Sequence, residues 1–174
     1  MEEPETMFDI NKVESIVDQL IETDSRLPVE AIQAAREKRE EITPYLIQLI
    51  EDATRDCRQG LGIEDNGHFY ATYLLAEFQA TEAWPAVLAA VSLPGEKPFE
   101  LYEDAITEDF GHIFAALVGD NLEALHAIID DPTINIYVRW QAIEALLFLI
   151  RDNVLTRESV VERLTRHLEL AIEQ

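Results

Sequence analysis

Apolar residues recur every three or four positions along almost the whole chain, and this spacing is the strongest constraint on its fold. A first stripe consists of Ile10, Val13, Val17, Leu20 and Ile21. Residues at this spacing share one face of an α-helix, whereas a half-buried strand needs alternation with a period of two. No segment shows sustained alternation. The sequence therefore predicts an all-α fold.

Proline and glycine residues divide this pattern into about ten helices. Pro28 stands at the first position of the second helix, where a missing N–H costs nothing, and residues 43–44 (Thr-Pro) open the third. Gly-Leu-Gly at 60–62 ends that helix. Residues 68–79 are rich in apolar side chains and predict a largely buried helix. A later helix is expected to run from Pro98 through Ile106.

The expected helices group into antiparallel pairs joined by short turns. Three pairs can be drawn, over residues 28–57, 66–92 and 136–173, and residues 98–130 form a fourth, less regular unit. Residues 142–150 are apolar on nearly every side, so neighbouring helices must cover this segment on more than one face. Stacked pairs in which each unit covers the apolar face of the next are typical of helical-repeat proteins.

One helical-repeat domain, residues 1–174, accounts for the whole pattern. Residues 1–26 are expected to supply an N-terminal capping helix, and residues 27–173 the stacked pairs. The segment from Asp130 to Leu146 is similar to a HEAT unit, a repeat class of about 40–47 residues. In that unit the side chain of Arg139 is expected to form an ion pair with Asp130 or Asp131. The sequence predicts an irregular HEAT-like α-α superhelix.

Negative charge is concentrated in the middle of the chain. The formal net charge is −22, and residues 61–134 contribute −13, since Lys97 is their one basic residue against 14 Asp and Glu. Such a surface repels nucleic-acid phosphates and anionic lipid. We therefore expect neither nucleic acid nor a membrane as a partner. A basic protein or peptide fits this charge.

Cysteine usage and the first residues indicate the compartment. Cys57 is the one cysteine and cannot form an internal disulfide, which suits a reducing environment. Its place in an apolar stripe predicts a buried structural thiol. The first ten residues, MEEPETMFDI, lack the apolar run of a signal peptide. These features predict a cytoplasmic protein.

A cluster of carboxylates between residues 96 and 109 is the candidate binding surface. Its members are Glu96, Glu100, Glu103, Asp104, Glu108 and Asp109. On a continuous helix from Pro98, the acidic residues at 100, 103 and 104 would share one face. A solvated helix face, a surface for a basic partner and a site for Ca²⁺ or Mg²⁺ all fit this pattern.

Motifs of common enzyme classes are missing from the sequence. It contains no H-E-x-x-H, C-x-x-C, G-x-S-x-G or G-x-x-x-x-G-K-[ST]. We therefore assign no catalytic residue and expect no cofactor. The preferred interpretation is a non-enzymatic interaction module with an acidic surface. The alternative is a divalent-metal-dependent hydrolase that uses the carboxylates of residues 96–112 together with His112.

The large aromatic residues are expected to pack in the core rather than to contact a partner. This prediction covers Trp84, Tyr102, Tyr137 and Trp140.

Several short segments resemble an uncharacterised bacterial family of HEAT-like helical domains. They are LPVEA at 27–31, EEITPYL at 40–46, YLLAEF at 73–78, SLPGE at 92–96, TEDFG at 107–111 and YVR at 137–139. The resemblance implies a helical-repeat fold over residues 27–150 and no particular activity. Members of this family often continue into a cysteine-rich, zinc-binding SEC-C segment. These 174 residues contain no such segment, so we expect none of its functions here.

Overall fold

The computed structural model describes residues 9–22 and 26–172. Its helices in chain order are α1 Val13–Ile21, α2 Val29–Glu37, α3 Arg39–Gln59, α4 Gly67–Phe78, α5 Trp84–Val91, α6 Lys97–Tyr102, α7 Ala105–Glu108, α8 Phe110–Leu117, α9 Leu122–Asp130, α10 Ile136–Arg151 and α11 Arg157–Ile172. A short 3₁₀ turn, Thr81–Ala83, precedes α5. Neither described range contains a strand. The prediction of an all-α fold with about ten helices is confirmed.

The long helices contact one another in succession. Helix α4 packs between α3 and α8, and α8 packs in turn against α10. Helix α10 also contacts α7 and α9, while α1 contacts α2, α3 and α4. Of the predicted capping segment 1–26, the structure describes α1 and its neighbours, and residues 1–8 and 23–25 lie outside the described residues. None of the described helices is long and apolar enough to cross a bilayer.

A chain of aromatic rings occupies the core between α4, α8 and the segment that precedes α8. The ring of Tyr102 lies 4.8 Å from that of Phe110, which lies 5.5 Å from Phe114, and both contacts are edge-to-face. Trp84 packs against Phe114 at 5.7 Å. Edge-to-face pairs place the positive edge of one ring on the negative face of another. These rings therefore hold the helices together through large buried contacts.

The third helix begins earlier than predicted. Helix α3 begins at Arg39 rather than at the Thr-Pro pair, and Pro44 lies inside it. A proline within a helix lacks the N–H that would bond to the carbonyl four residues before it. The ring of Pro44 is exposed and stands in the second turn. The proline therefore marks an early helix position without opening the helix.

The helix predicted from Pro98 through Ile106 is interrupted. Helix α6 ends at Tyr102, and Glu103 adopts a left-handed backbone with φ of 46° and ψ of −132°. Helix α7 then begins at Ala105. The prediction that the acidic residues at 100, 103 and 104 share one continuous helix face is therefore wrong. Like charges three and four residues apart repel on a continuous helix, and the interruption removes that arrangement.

The predictions for the four large aromatic residues are right for two of them and wrong for the two that lie on α10. Trp84 and Tyr102 are buried, as predicted. Trp140 is 64% exposed and Tyr137 is 46% exposed, so the prediction that these two belong to the core is wrong. Both lie on α10, whose contacts with α7, α8 and α9 leave part of its surface uncovered. When a helix is apolar on all sides, its sequence does not show which of its faces other helices will cover.

Arg139 donates to a backbone carbonyl rather than to Asp130, one of its two predicted partners. Its Nε and Nη2 atoms donate to the carbonyl oxygen of Ile129 at 3.1 and 2.9 Å. That carbonyl lies in the last turn of α9, where carbonyls lack partners within the helix and attract positive charge. The Asp130 carboxylate instead pairs with Arg163 and His167 of α11. The other predicted partner, Asp131, accepts hydrogen bonds from Thr133, and these bonds together with the nearby charge of Arg139 lower its carboxyl pKa.

Candidate functional site

An acidic pocket of about 440 Å³ lies where residues 63–66 and the start of α4 meet α6. Four carboxylates line this acidic pocket: those of Glu64, Asp65, Glu100 and Glu103. Neither Lys nor Arg is among its described lining residues. Two of the four acids belong to the predicted cluster. The other two come from the loop after α3, which sequence spacing did not connect to α6.

The loop beside the acidic pocket is held by Asp65 and Gly67. The Asp65 carboxylate accepts a hydrogen bond from the Gly67 backbone N–H at 2.7 Å. A Cβ atom at Gly67 would lie 2.6 Å from the Cγ2 atom of Ile21 in α1. Glycine therefore lets the start of α4 approach α1 closely. This contact fixes where the loop carboxylates stand.

His68 lies in the wall of the acidic pocket and links α4 to α6. Its Nε2 atom donates to the carbonyl oxygen of Leu101 at 2.7 Å, since a carbonyl can only accept. Burial lowers the pKa of His68, because the charged imidazolium is disfavoured away from water. The imidazole is therefore neutral at neutral pH, with a lone pair on Nδ1. Within the described part of the chain, this Nδ1 atom has no hydrogen-bond partner.

Lys97 does not neutralise the acidic pocket. Its ammonium donates to the carbonyl oxygens of Cys57 and Arg58 at 2.6 and 3.1 Å. These carbonyls belong to the last turn of α3, where positive charge is favourable. The thiol of Cys57 is buried, as predicted, and burial raises its pKa. The one lysine of the acidic segment is therefore held by backbone oxygens rather than by carboxylates.

The remaining members of the predicted cluster lie outside the acidic pocket. Glu96, Asp104 and Glu108 are exposed and are not among its lining residues. Asp109 is half-buried, and its Oδ2 atom accepts a hydrogen bond from the Tyr73 hydroxyl at 2.5 Å. Burial and this carboxylate raise the pKa of Tyr73, because both oppose formation of the phenolate. The six carboxylates therefore do not form one site.

The arrangement that a metal-dependent hydrolase requires is not found in the described residues. Across residues 9–22 and 26–172, no three His, Cys, Asp or Glu side chains are placed to hold a metal ion together. His112 instead stacks on Phe148, with ring centroids 3.6 Å apart. It lines a separate cavity of about 390 Å³ that also includes Asp109.

An apolar groove adjoins the acidic pocket between α2 and α4, and the sequence analysis did not identify it. The groove has a volume of about 490 Å³ and is lined by Leu27, Ile32, Arg36, Phe69, Tyr70, Tyr73, Leu74 and Glu77. Phe69 and Tyr70 line both the groove and the acidic pocket. The signal for it was the aromatic content of residues 68–79. Helix α4 is largely buried, as predicted, and its partly buried residues at 69, 70 and 73 form one side of the groove.

Replacing Glu103 with glycine is expected to stabilise the protein by about 1 kcal/mol. A residue with a side chain lowers the free energy of unfolding by about 1–3 kcal/mol when it is held at this φ and ψ. Glycine relieves that strain, and the greater flexibility of glycine in the unfolded chain offsets part of the stability gained. Urea unfolding followed by circular dichroism measures the change. Glu103→Ala is the matched control, because it removes the same carboxylate and keeps the strained backbone. Equal unfolding midpoints for the two variants would contradict the assignment of strain.

Comparison with known proteins identifies similar chains. A family model described as "Protein of unknown function (DUF1186)" matches residues 11–174. An uncharacterized protein of Chlamydia trachomatis is 33% identical over 171 residues, which cover 94% of this chain and 65% of the relative. One of Chlamydia muridarum is 32% identical over 171 residues, covering 94% and 66%. The chain thus spans just under two thirds of the length of these relatives. No solved structure matches it.

Proposed function

This chain belongs to the DUF1186 family of proteins of unknown function, and on that premise we propose that it is an interaction module that binds a basic protein or peptide. A cationic side chain of the partner enters the acidic pocket. The observation that carries this proposal is that Glu64, Asp65, Glu100 and Glu103 line one pocket, with neither Lys nor Arg among its described lining residues.

Electrostatics favours a cation in this position. One exposed ion pair contributes only about 0.2–1 kcal/mol, because water and salt screen it. The four carboxylates that line the pocket each attract a cation placed in it, and the cation offsets part of the repulsion between them. An ammonium or guanidinium group donates hydrogen bonds and carries the complementary charge.

The proposal extends to architecture and location. The successive contacts of α3, α4, α8 and α10 support one irregular HEAT-like domain over residues 1–174. The buried, unpaired thiol of Cys57 supports a reducing compartment, and we propose the cytoplasm.

Binding of a labelled basic peptide tests the proposal. The probe is a fluorescein-labelled hexapeptide with two lysines among glycine and serine, followed by fluorescence anisotropy at low salt. The double variant Glu100→Gln and Glu103→Gln is expected to weaken binding about tenfold, since two charge contributions are lost. Raising NaCl to about 0.3 M is expected to weaken binding to the unmodified chain, because the Debye length shortens.

A matched variant separates the pocket from the overall charge. Glu82→Gln with Glu158→Gln makes the same change in net charge at exposed positions outside the acidic pocket. This control is expected to change the dissociation constant less than twofold. Equal weakening in both double variants, or binding that does not respond to salt, would contradict the proposed function.

A further inference from the structure

We propose that the basic partner inserts a hydrophobic side chain, next to its cation, into the apolar groove between α2 and α4. The inference rests on the proposed function and adds the chemical class of the segment that binds. It predicts an extended stretch of partner chain that carries both a lysine or arginine and a large apolar residue. The argument comes from the groove itself and from how it joins the acidic pocket.

The groove and the acidic pocket share a wall. The rings of Phe69 and Tyr70 line both. A segment whose cation occupies the acidic pocket therefore lies beside the groove. A segment that continues across that wall brings a later side chain, on the same side as the cation, against Ile32 of α2 and Leu74 of α4. Removing an apolar side chain from water is favourable by about 25 cal/mol for each Å² buried.

The charges at the rim of the groove are compatible with a basic partner. Among the described lining residues Arg36 is the one cation, and its Nε and Nη2 atoms donate to the two carboxylate oxygens of Glu77, both at 2.8 Å. This two-point contact compensates the positive charge of Arg36 and fixes its orientation. The Tyr73 hydroxyl is likewise held by Asp109. The groove thus offers apolar surface between polar groups that already have partners.

The distance between successive turns of α4 indicates how far apart the cation and the hydrophobic residue of the partner should be. Beyond Phe69 and Tyr70, the next α4 residues that line the groove are Tyr73 and Leu74, one helical turn further, and one turn advances about 5.4 Å. In an extended chain, side chains two residues apart lie on the same side, separated by about 6.6 Å. We therefore place the hydrophobic residue two positions from the cation.

Two peptides and one variant of the groove test the inference. In the polar probe described above, the serine two positions from a lysine is replaced by leucine. The leucine peptide is expected to bind the unmodified chain about five- to tenfold more tightly than the serine peptide. Leu27 lies in the groove lining and is 62% exposed. Leu27→Ser is expected to remove most of the gain and to leave the affinity of the serine peptide unchanged.

Further variants keep the result interpretable. Leu168→Ser is the matched control, because Leu168 is 61% exposed on α11 and lies outside the groove. It is expected to leave the gain intact. Ile32→Ala shortens a second groove residue and is expected to reduce the gain as well. Circular dichroism verifies that each variant keeps its helical content.

Failure of the inference differs from failure of the proposed function. If the serine peptide binds in a pocket- and salt-dependent manner while leucine adds no affinity, the groove inference is overturned and the proposed function stands. A gain that survives both Leu27→Ser and Ile32→Ala also overturns it. If Leu27→Ser converts a dimer into a monomer in sedimentation, the groove is occupied by a second copy and the inference is wrong. If neither peptide binds, the proposed function itself fails.

Discussion

Replacing Phe110 with alanine is expected to lower the free energy of unfolding by about 3–5 kcal/mol. Phe110 is 0% exposed and packs edge-to-face against Tyr102 and Phe114. Alanine removes the ring and leaves a cavity between α8 and the end of α6. The cost combines the lost transfer free energy with the contacts that the surrounding rings no longer make. For a chain of this size, the melting temperature is expected to fall by about 10 °C.

Urea and thermal unfolding, followed by far-ultraviolet circular dichroism, measure this loss. Phe99→Ala is the comparison, since Phe99 is only half-buried and packs on the exposed Tyr137 ring. Its loss is expected to be clearly smaller. Equal destabilisation by both substitutions would show that the aromatic chain through Phe110 is not the centre of the core.

Replacing Gln141 with leucine is expected to cost about 2–3 kcal/mol, although leucine is the more apolar residue. Gln141 is 4% exposed, and its Oε1 atom accepts a hydrogen bond from the buried Gly111 N–H at 2.6 Å. Its Nε2 atom donates to the Thr107 carbonyl at 3.1 Å and to Glu144 at 2.9 Å. One side chain thus joins α10 to the junction of α7 and α8. Leucine leaves these backbone groups without that partner.

The same unfolding experiment tests Gln141→Leu against Gln33→Leu, an exposed glutamine on α2. The exposed substitution is expected to change stability by less than about 0.5 kcal/mol. Amide hydrogen exchange adds a local measurement, because the Gly111 N–H is expected to exchange faster once its acceptor is lost. A leucine variant as stable as the unmodified protein would show that this glutamine is not a structural link.

The presence of helices could be predicted from the sequence because the hydrogen bonds of a helix join residues that are close in the chain. The three- and four-residue spacing of apolar side chains reports on hydrogen bonds between residues close in the chain. Of the stripe predicted for α1, Val13 and Leu20 are buried, whereas Ile10 is exposed, and the buried Ile16 was not part of that stripe. Proline was a weaker guide, since Pro44 lies within α3 rather than at its start. Its effect depends on whether the helix can continue around one missing bond.

The candidate site could be predicted only in part. Glu100 and Glu103 line the acidic pocket, whereas three members of the predicted cluster lie exposed elsewhere. Glu64 and Asp65 were missed because they are about 35 residues away in sequence. They lie beside α6 because hydrogen bonds made by His68 and Thr72 hold the first half of α4 against it. Clustering along the chain is therefore a poor measure of clustering in space once a helix is interrupted, as it is at Glu103.

The order of residues by itself determined that the chain is helical, that its middle is strongly acidic and that Cys57 is buried. These properties depend on near neighbours and on composition. Only the tertiary structure decided which helix faces are covered, so that Trp140 is exposed while Trp84 is buried. It also decided that Lys97 binds carbonyl oxygens and that loop and helix carboxylates meet in one pocket. Burial and charge pairing depend on residues far apart in the chain, and packing of the helices brings these together.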